Sequence, residues 1–161
     1  MQPGTVLYAE DEPNDIFFLK HAFQRVGILH ALQTVEDGQE ALEYLSGDGP
    51  FADRELYPLP FLILLDINMP RKDGFEVLAW IRQEHRFKLL PVLMFTSSAH
   101  PADVAKAREL GADDYLVKPS DTRKLDAIVQ SVHDDWLSSR TPRSVWSLGQ
   151  SGADHDLRPG A

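Results

Sequence analysis

The chain is 161 residues long, carries a net charge of −9 from 25 acidic and 16 basic side chains, and contains no cysteine. The length suits one domain with a full core, and the missing thiol excludes a disulfide scaffold, thiol catalysis and a zinc–thiolate site. The acidic balance disfavours non-specific binding to nucleic acid or to anionic membranes, whose phosphates call for Lys and Arg.

Apolar runs alternate with helical patterns along the chain. Thr5 to Ala9 reads as a short strand, and Asn14 to Val26 as a helix stopped by Gly27, with Ile16, Leu19, Phe23 and Val26 as its buried stripe. Leu32 to Val35 is a weaker, half-polar strand, and Gln39 to Leu45 a helix with Ala41, Leu42 and Leu45 on one face. Ser46 to Pro60 is broken by Gly47, Gly49, Pro50, Pro58 and Pro60, and its length marks it as a functional or mobile loop. Phe61 to Leu65 is the most apolar run; without polar alternation it predicts a central strand buried on both faces. A helix over Gly74 to Glu84 follows, with Val77, Leu78 and Ile81 inward, then a second central strand over Val92 to Thr96. Ala102 to Leu110 is a short helix ended by Gly111, Asp114 to Lys118 a fifth strand, and Asp121 caps a long helix reaching Ser138.

Strand and helix thus alternate five times, which predicts a doubly wound parallel sheet, a (βα)5 flavodoxin-like fold with helices on both faces. Residues 1–139 make the domain. From Arg140 the composition turns to Pro, Gly and polar residues, and 140–161 reads as a flexible C-terminal extension whose apolar cluster is Val145, Trp146 and Leu148. No apolar run approaches the roughly 20 residues that span a bilayer, and no signal-peptide pattern follows Gly4. The expectation is a cytoplasmic protein that binds neither nucleic acid nor membrane.

In open parallel sheets ligands bind beyond the carboxyl ends of the strands. The first strand delivers Glu10, Asp11 and Glu12 there, the third Asp66 and Asn68, the fourth Thr96, Ser97 and Ser98, and the fifth Lys118 before Pro119. Singly each has an ordinary explanation: a solvated loop start, a helix cap, a strand-end hydroxyl, a surface lysine. Together they form a cluster of carboxylates, a hydroxyl and a lysine, the chemistry of hard-cation binding and phosphoryl transfer to a carboxylate.

Tyr8-Ala9-Glu10-Asp11, Leu64-Leu65-Asp66-Ile67-Asn68-Met69-Pro70 with Asp73-Gly74, Phe95-Thr96-Ser97 and Tyr115-Leu116-Val117-Lys118-Pro119 resemble the receiver domain of two-component response regulators over about Thr5 to Ser138. The resemblance implies that Asp66 is the phosphoacceptor. Asp11, Asp66 and the backbone carbonyl of Asn68 would hold Mg2+, with Glu10 acting through water. Lys118 would pair with a phosphoryl oxygen and, before phosphorylation, with Asp66. Thr96 would hydrogen-bond the phosphoryl group, and Tyr115 would swing inward behind it. A cis Lys118–Pro119 bond is also implied. Glu10 departs from the family, where Asp is common; its extra methylene changes the reach to a cation. Asn68 and Ser98 occupy the two sites that influence phosphate lifetime in this family. Asp73-Gly74 reads as a turn entering the third helix.

The helix after Glu12 shows Ile16-Phe17-Phe18-Leu19, more apolar residues than one face can bury; Phe17 and Phe18 are candidates for docking a histidine kinase. No output domain fits after Ser138, so the expected output is a protein contact with an unknown downstream partner. The Ser46–Pro60 loop and the ending Asp134-Asp135-Trp136-Leu137 resemble single-domain receivers that work with phytochrome-type sensor histidine kinases. That subgroup implies a homodimer, with Trp136, Val145, Trp146 and Leu148 as candidate contacts. The protein is thus expected to be a phosphoacceptor signalling protein, as an output regulator or a relay intermediate, and not an enzyme with a separate substrate. Among competitors, a haloacid-dehalogenase-type phosphatase would need a second acid where Asn68 stands. A flavin-binding protein would need a phosphate cradle where Glu10-Asp11-Glu12 stands. A binding module that has lost phosphorylation would not need to retain Asp11, Asp66, Thr96 and Lys118.

Overall fold

A computed structural model describes residues 4–138. The elements are β1 (Thr5–Ala9), α1 (Pro13–Val26), β2 (Ala31–Val35), α2 (Gly38–Ser46), β3 (Leu62–Leu65), α3 (Gly74–Gln83), β4 (Val92–Thr96), α4 (Pro101–Glu109), β5 (Asp114–Val117) and α5 (Thr122–Val132). All strand pairs are parallel, and the sheet order is β2-β1-β3-β4-β5. The doubly wound (βα)5 expectation therefore holds. Leu62–Leu65 of the apolar run form β3 at the centre of the sheet and are buried along their whole length, Phe61 stays exposed ahead of the strand, and half-polar β2 lies at an edge.

Alternate strand residues supply two cores. Leu7, Ala9, Ile63, Leu65, Val92 and Met94 face α2, α3 and α4. Val6, Tyr8, Leu62, Leu64, Leu93 and Phe95 face α1 and α5. Side-chain oxygens of Glu12, Asp37, Asp73 and Asp121 cap the starts of α1, α2, α3 and α5, each accepting a backbone N–H of the first turn.

The structure corrects the sequence reading in three places. The last helix is not continuous to Ser138: α5 ends at Val132 and a π-helical turn runs over His133–Leu137. That wider turn carries Trp136 and Leu137 into the α1/α5 core, each 6% exposed, so Trp136 packs on its own domain instead of waiting for a second copy. The Lys118–Pro119 bond is trans, as no described peptide bond is cis; trans is the lower-energy isomer, and from it the lysine still reaches the carboxylates. The Ser46–Pro60 segment is a packed cap. The Arg54 guanidinium donates to the carbonyls of Tyr44 (2.8 Å), Leu45 (2.8 Å) and Tyr57 (3.1 Å), closing the open carbonyl end of α2, while Phe51 and Tyr57 pack on the Tyr44 ring. Val145, Trp146 and Leu148, and the extension expected over 140–161, lie outside the described residues.

Candidate functional site

Strand register brings the site together. Asp66 N–H donates to Ala9 C=O (3.1 Å), which sets the end of β3 beside Glu10; Lys118 N–H donates to Thr96 C=O (2.7 Å), which sets the end of β5 beside β4. Asp66 follows the central strand and is buried, with Oδ1 accepting the Ile67 N–H at 2.8 Å. The loop beyond it is pinned twice. Gly74 N–H donates to Ile67 C=O (2.8 Å), and Arg71, in the left-handed region at φ 65°, donates to Asp37 Oδ2 (2.9 Å). Gly74 is more than a turn residue: a Cβ there would lie 2.2 Å from the Asp66 carbonyl oxygen. The absence of a side chain is what lets α3 start against the Asp66 backbone.

Lys118 is the hub of the charges. Its Nζ donates to Glu10 Oε1, to Asp15 Oδ2 at 2.9 Å and to Asp66 Oδ2 at 3.3 Å, so all three ammonium protons have carboxylate acceptors. Glu10 is held on every side: Oε1 also accepts the Tyr8 hydroxyl (3.0 Å) and Oε2 the Glu12 N–H (3.2 Å). Two of these partners were not legible as functional. An acid in a helix's first turn, as Asp15 is, reads as a complement to the helix dipole. Tyr8, inside a buried strand, reads as packing. The available signal for Tyr8 was its period-2 relation to Glu10, which puts both on one sheet face.

Burial pushes the Glu10 carboxyl up to about 7; the Lys118 hydrogen bond opposes this and the Asp66 charge adds to it. Burial lowers the Lys118 ammonium, but its bonds to Glu10 and Asp15 and the charge of Asp66 outweigh that, and the net shift is upward. The Tyr8 hydroxyl is also raised, by burial first and then by Glu10. The sign for Glu10 follows directly. From its ordinary value near 4.5 up to about 7 the folded chain holds a proton that the unfolded chain has lost, so its contribution to stability falls as pH rises through that window and is then constant. A cation prefers the carboxylate. Mn2+ affinity should therefore climb steeply up to about pH 7 and level off above it, with proton release below that point. Calorimetric titration in buffers of different ionisation enthalpy measures both.

Carboxylate oxygens of Glu10, Asp11 and Asp66 lie within 4.8 Å of one another. An all-oxygen, triply acidic donor set fits a hard divalent cation. Asn68 lies exposed two residues beyond Asp66 in the same loop. Thr96 is fully buried at the end of β4, where its Oγ1 accepts the Ser98 N–H at 3.4 Å. Tyr115 is also fully buried, and its hydroxyl donates to Ser98 C=O (2.8 Å). Ser98 Oγ is committed to Asp103 at 2.6 Å. Phe17 and Phe18 are 56% and 53% exposed, as the helical wheel implies, and border a groove of about 440 Å³ between α1 and the segment after β5 that also touches Asp15, Lys118 and Pro119.

The family model of the response regulator receiver domain matches residues 6–130. The chain belongs to this family. The receiver is 36% identical over 139 residues to the response regulator Rcp1 of Synechocystis sp., covering 86% of this chain and 92% of the relative. Its structure resembles the phosphorylated cyanobacterial phytochrome response regulator RcpA at a TM-score of 0.79 and 33% identity, covering 88% of this chain and 98% of that one. It also resembles the Mn2+-bound form of Rcp1 at a TM-score of 0.77 and 36% identity, covering 87% and 99%. The receiver is thus a response regulator of two-component signalling, similar to regulators associated with phytochromes, and its acidic cluster suits a divalent ion. No helix among the described residues is long and apolar enough to cross a membrane.

Proposed function

We propose that this receiver accepts a phosphoryl group on Asp66 from the phosphohistidine of a sensor histidine kinase, with Mg2+ in the acidic cluster, and switches a protein-contact surface through Thr96 and Tyr115. The observation that carries this reading is the meeting of buried Asp66 with Glu10, Asp11 and Lys118 at one sheet edge. A carboxylate oxygen of Asp66 attacks phosphorus, the P–N bond breaks, and the histidine imidazole leaves. Lys118 gives up its bond to Asp66 and pairs with a phosphoryl oxygen. When bound to Glu10, Asp11, Asp66 and the Asn68 carbonyl, Mg2+ supplies charge neutralisation to the transferred group. The Thr96 hydroxyl turns to the phosphoryl oxygens, which disturbs the Ser98 backbone and with it the Tyr115 hydroxyl bonded there. The two arrangements of α4 and β5 are then populated differently before and after transfer.

Similarity to Rcp1 and RcpA favours a phytochrome-type kinase in the cytoplasm, with Phe17 and Phe18 in its docking surface. A homodimer through the α4–β5 face or the C-terminal extension belongs to the same reading. Incubation with acetyl phosphate and Mg2+, followed by intact-mass measurement, tests the central step. One acid-labile phosphoryl group is expected on the wild type and none on Asp66→Asn; labelling that persists in Asp66→Asn would refute the assignment.

A further inference from the structure

We propose that Asp15 is a positioning residue for the phosphorylation site: it is the acceptor outside the acidic cluster that retains Lys118 when a cation claims Glu10 and Asp66. Three carboxylates share the Lys118 ammonium, but they are not equivalent. Glu10 and Asp66 belong to the acidic cluster with Asp11, whereas Asp15, among the described residues, lies outside that cluster. Asp15 is also the partner nearer solvent, its side chain 35% exposed against 1% for Glu10 and 7% for Asp66. The contact to Glu10 is the closest of the three, the Asp15 bond is 2.9 Å long and the Asp66 bond is the longest at 3.3 Å, so Glu10 and Asp15 hold the lysine and it only lightly covers Asp66 Oδ2.

The proton count makes this arrangement consequential. An ammonium has three N–H donors, and here all three have acceptors. A cation that enters the cluster takes Glu10 and Asp66 oxygens away from the lysine. Asp15 is then the acceptor that remains, and it anchors Lys118 within reach of an incoming phosphoryl oxygen. Without Asp15 the ammonium at this 12% exposed position is not rehydrated and falls back on Glu10 and Asp66. It then competes with the cation for the same oxygens and covers the nucleophile. Asp15 sits in the first turn of α1, two residues before Phe17, so the anchor ties the site to the helix that borders the docking groove.

A double-mutant cycle read by Mn2+ calorimetry separates this role from a plain field effect of one negative charge. Asp15→Ala is expected to weaken Mn2+ roughly tenfold, the loss of one charge-assisted bond moderated by partial exposure. Asp15→Asn, which keeps an oxygen acceptor for Lys118, is expected to weaken it less than about threefold. In a Lys118→Ala background, Asp15→Ala is expected to change nothing further, because the residue it acts through is gone. Equal losses for Asn and Ala, an undiminished loss in the Lys118→Ala background, or no loss at all would each overturn the proposal; the Asn comparison decides even where Lys118→Ala fails to fold. The proposal rests on the phosphoacceptor reading only for a second readout, a slower acetyl phosphate labelling of Asp15→Ala. An unlabelled wild type would refute phosphorylation while leaving the Mn2+ cycle to decide the role of Asp15.

Discussion

Lys118→Ala is expected to cost about 3 kcal/mol of stability above about pH 7, because it removes the ammonium shared by Glu10, Asp66 and Asp15 and leaves buried carboxylate charge uncompensated. Glu10 is 1% exposed and Lys118 12%, so water screens the pair poorly. The loss should carry a pH signature. Glu10 already stands at about 7 with the lysine present, its hydrogen bond pulling that value down; without the lysine the carboxyl rises further and protonates. The loss relative to wild type should therefore shrink as pH falls through about 7, because the Glu10 side chain of the variant is by then neutral and needs no counter-charge. Denaturant titrations at two pH values measure this. The same variant should label from acetyl phosphate roughly a hundredfold more slowly, the usual scale for deleting one preorganised donor to a reacting oxygen.

Gly74→Ala should lower stability by about 1–3 kcal/mol, the range for forcing an extra methyl into a packed site, and should slow phosphoryl labelling as well. The direction is the informative part. At the first turn of an exposed helix alanine would stabilise relative to glycine by up to about 1 kcal/mol. Here the added carbon would lie 2.2 Å from the Asp66 carbonyl oxygen and 2.9 Å from the Ile67 Cα. Both are backbone atoms that cannot rotate aside, so either α3 moves out or Asp66 moves. Melting temperature and labelling rate should fall together. A variant as stable and as reactive as the wild type would show that the loop absorbs the methyl without cost.

The two readings of α1 show what periodicity can and cannot deliver. Ile16, Leu19, Phe23 and Val26 recur at helical spacing, and the structure buries Leu19 and Phe23 and half-buries the other two. The same wheel left Phe17 and Phe18 outside, where they are. Asp15, on the same helix, carried no such signal, because its partner Lys118 lies 103 residues away. Tyr8 failed for a different reason. Its ring obeys the strand pattern, and its hydroxyl finds a use only in the folded chain, where Glu10 Oε1 accepts it at 3.0 Å. Gly74 looked like a turn because its requirement comes from a neighbouring backbone, which no side-chain pattern reports. Trp136 looked available because the subgroup resemblance implied a dimer, although helical spacing already set it on the side of Leu125, Val129 and Val132; the structure buries it there.

The sequence by itself determined the alternation of strands and helices, the burial of β3 and the identity of the groups delivered to the strand ends. These follow from local rules: a two-residue period along strands, a 3.6-residue period along helices, and caps and breakers between them. It also carried the family, since Asp11, Asp66, Thr96 and Lys118 stand at fixed places relative to those strands. Folding alone settled which carboxylates share the lysine, which glycine touches the Asp66 backbone and how far Glu10 is removed from water. Those depend on sheet order, register and helix docking. They join residues from 8 to 108 positions apart, and the energies involved arise from desolvation and close approach that exist only once the chain has folded.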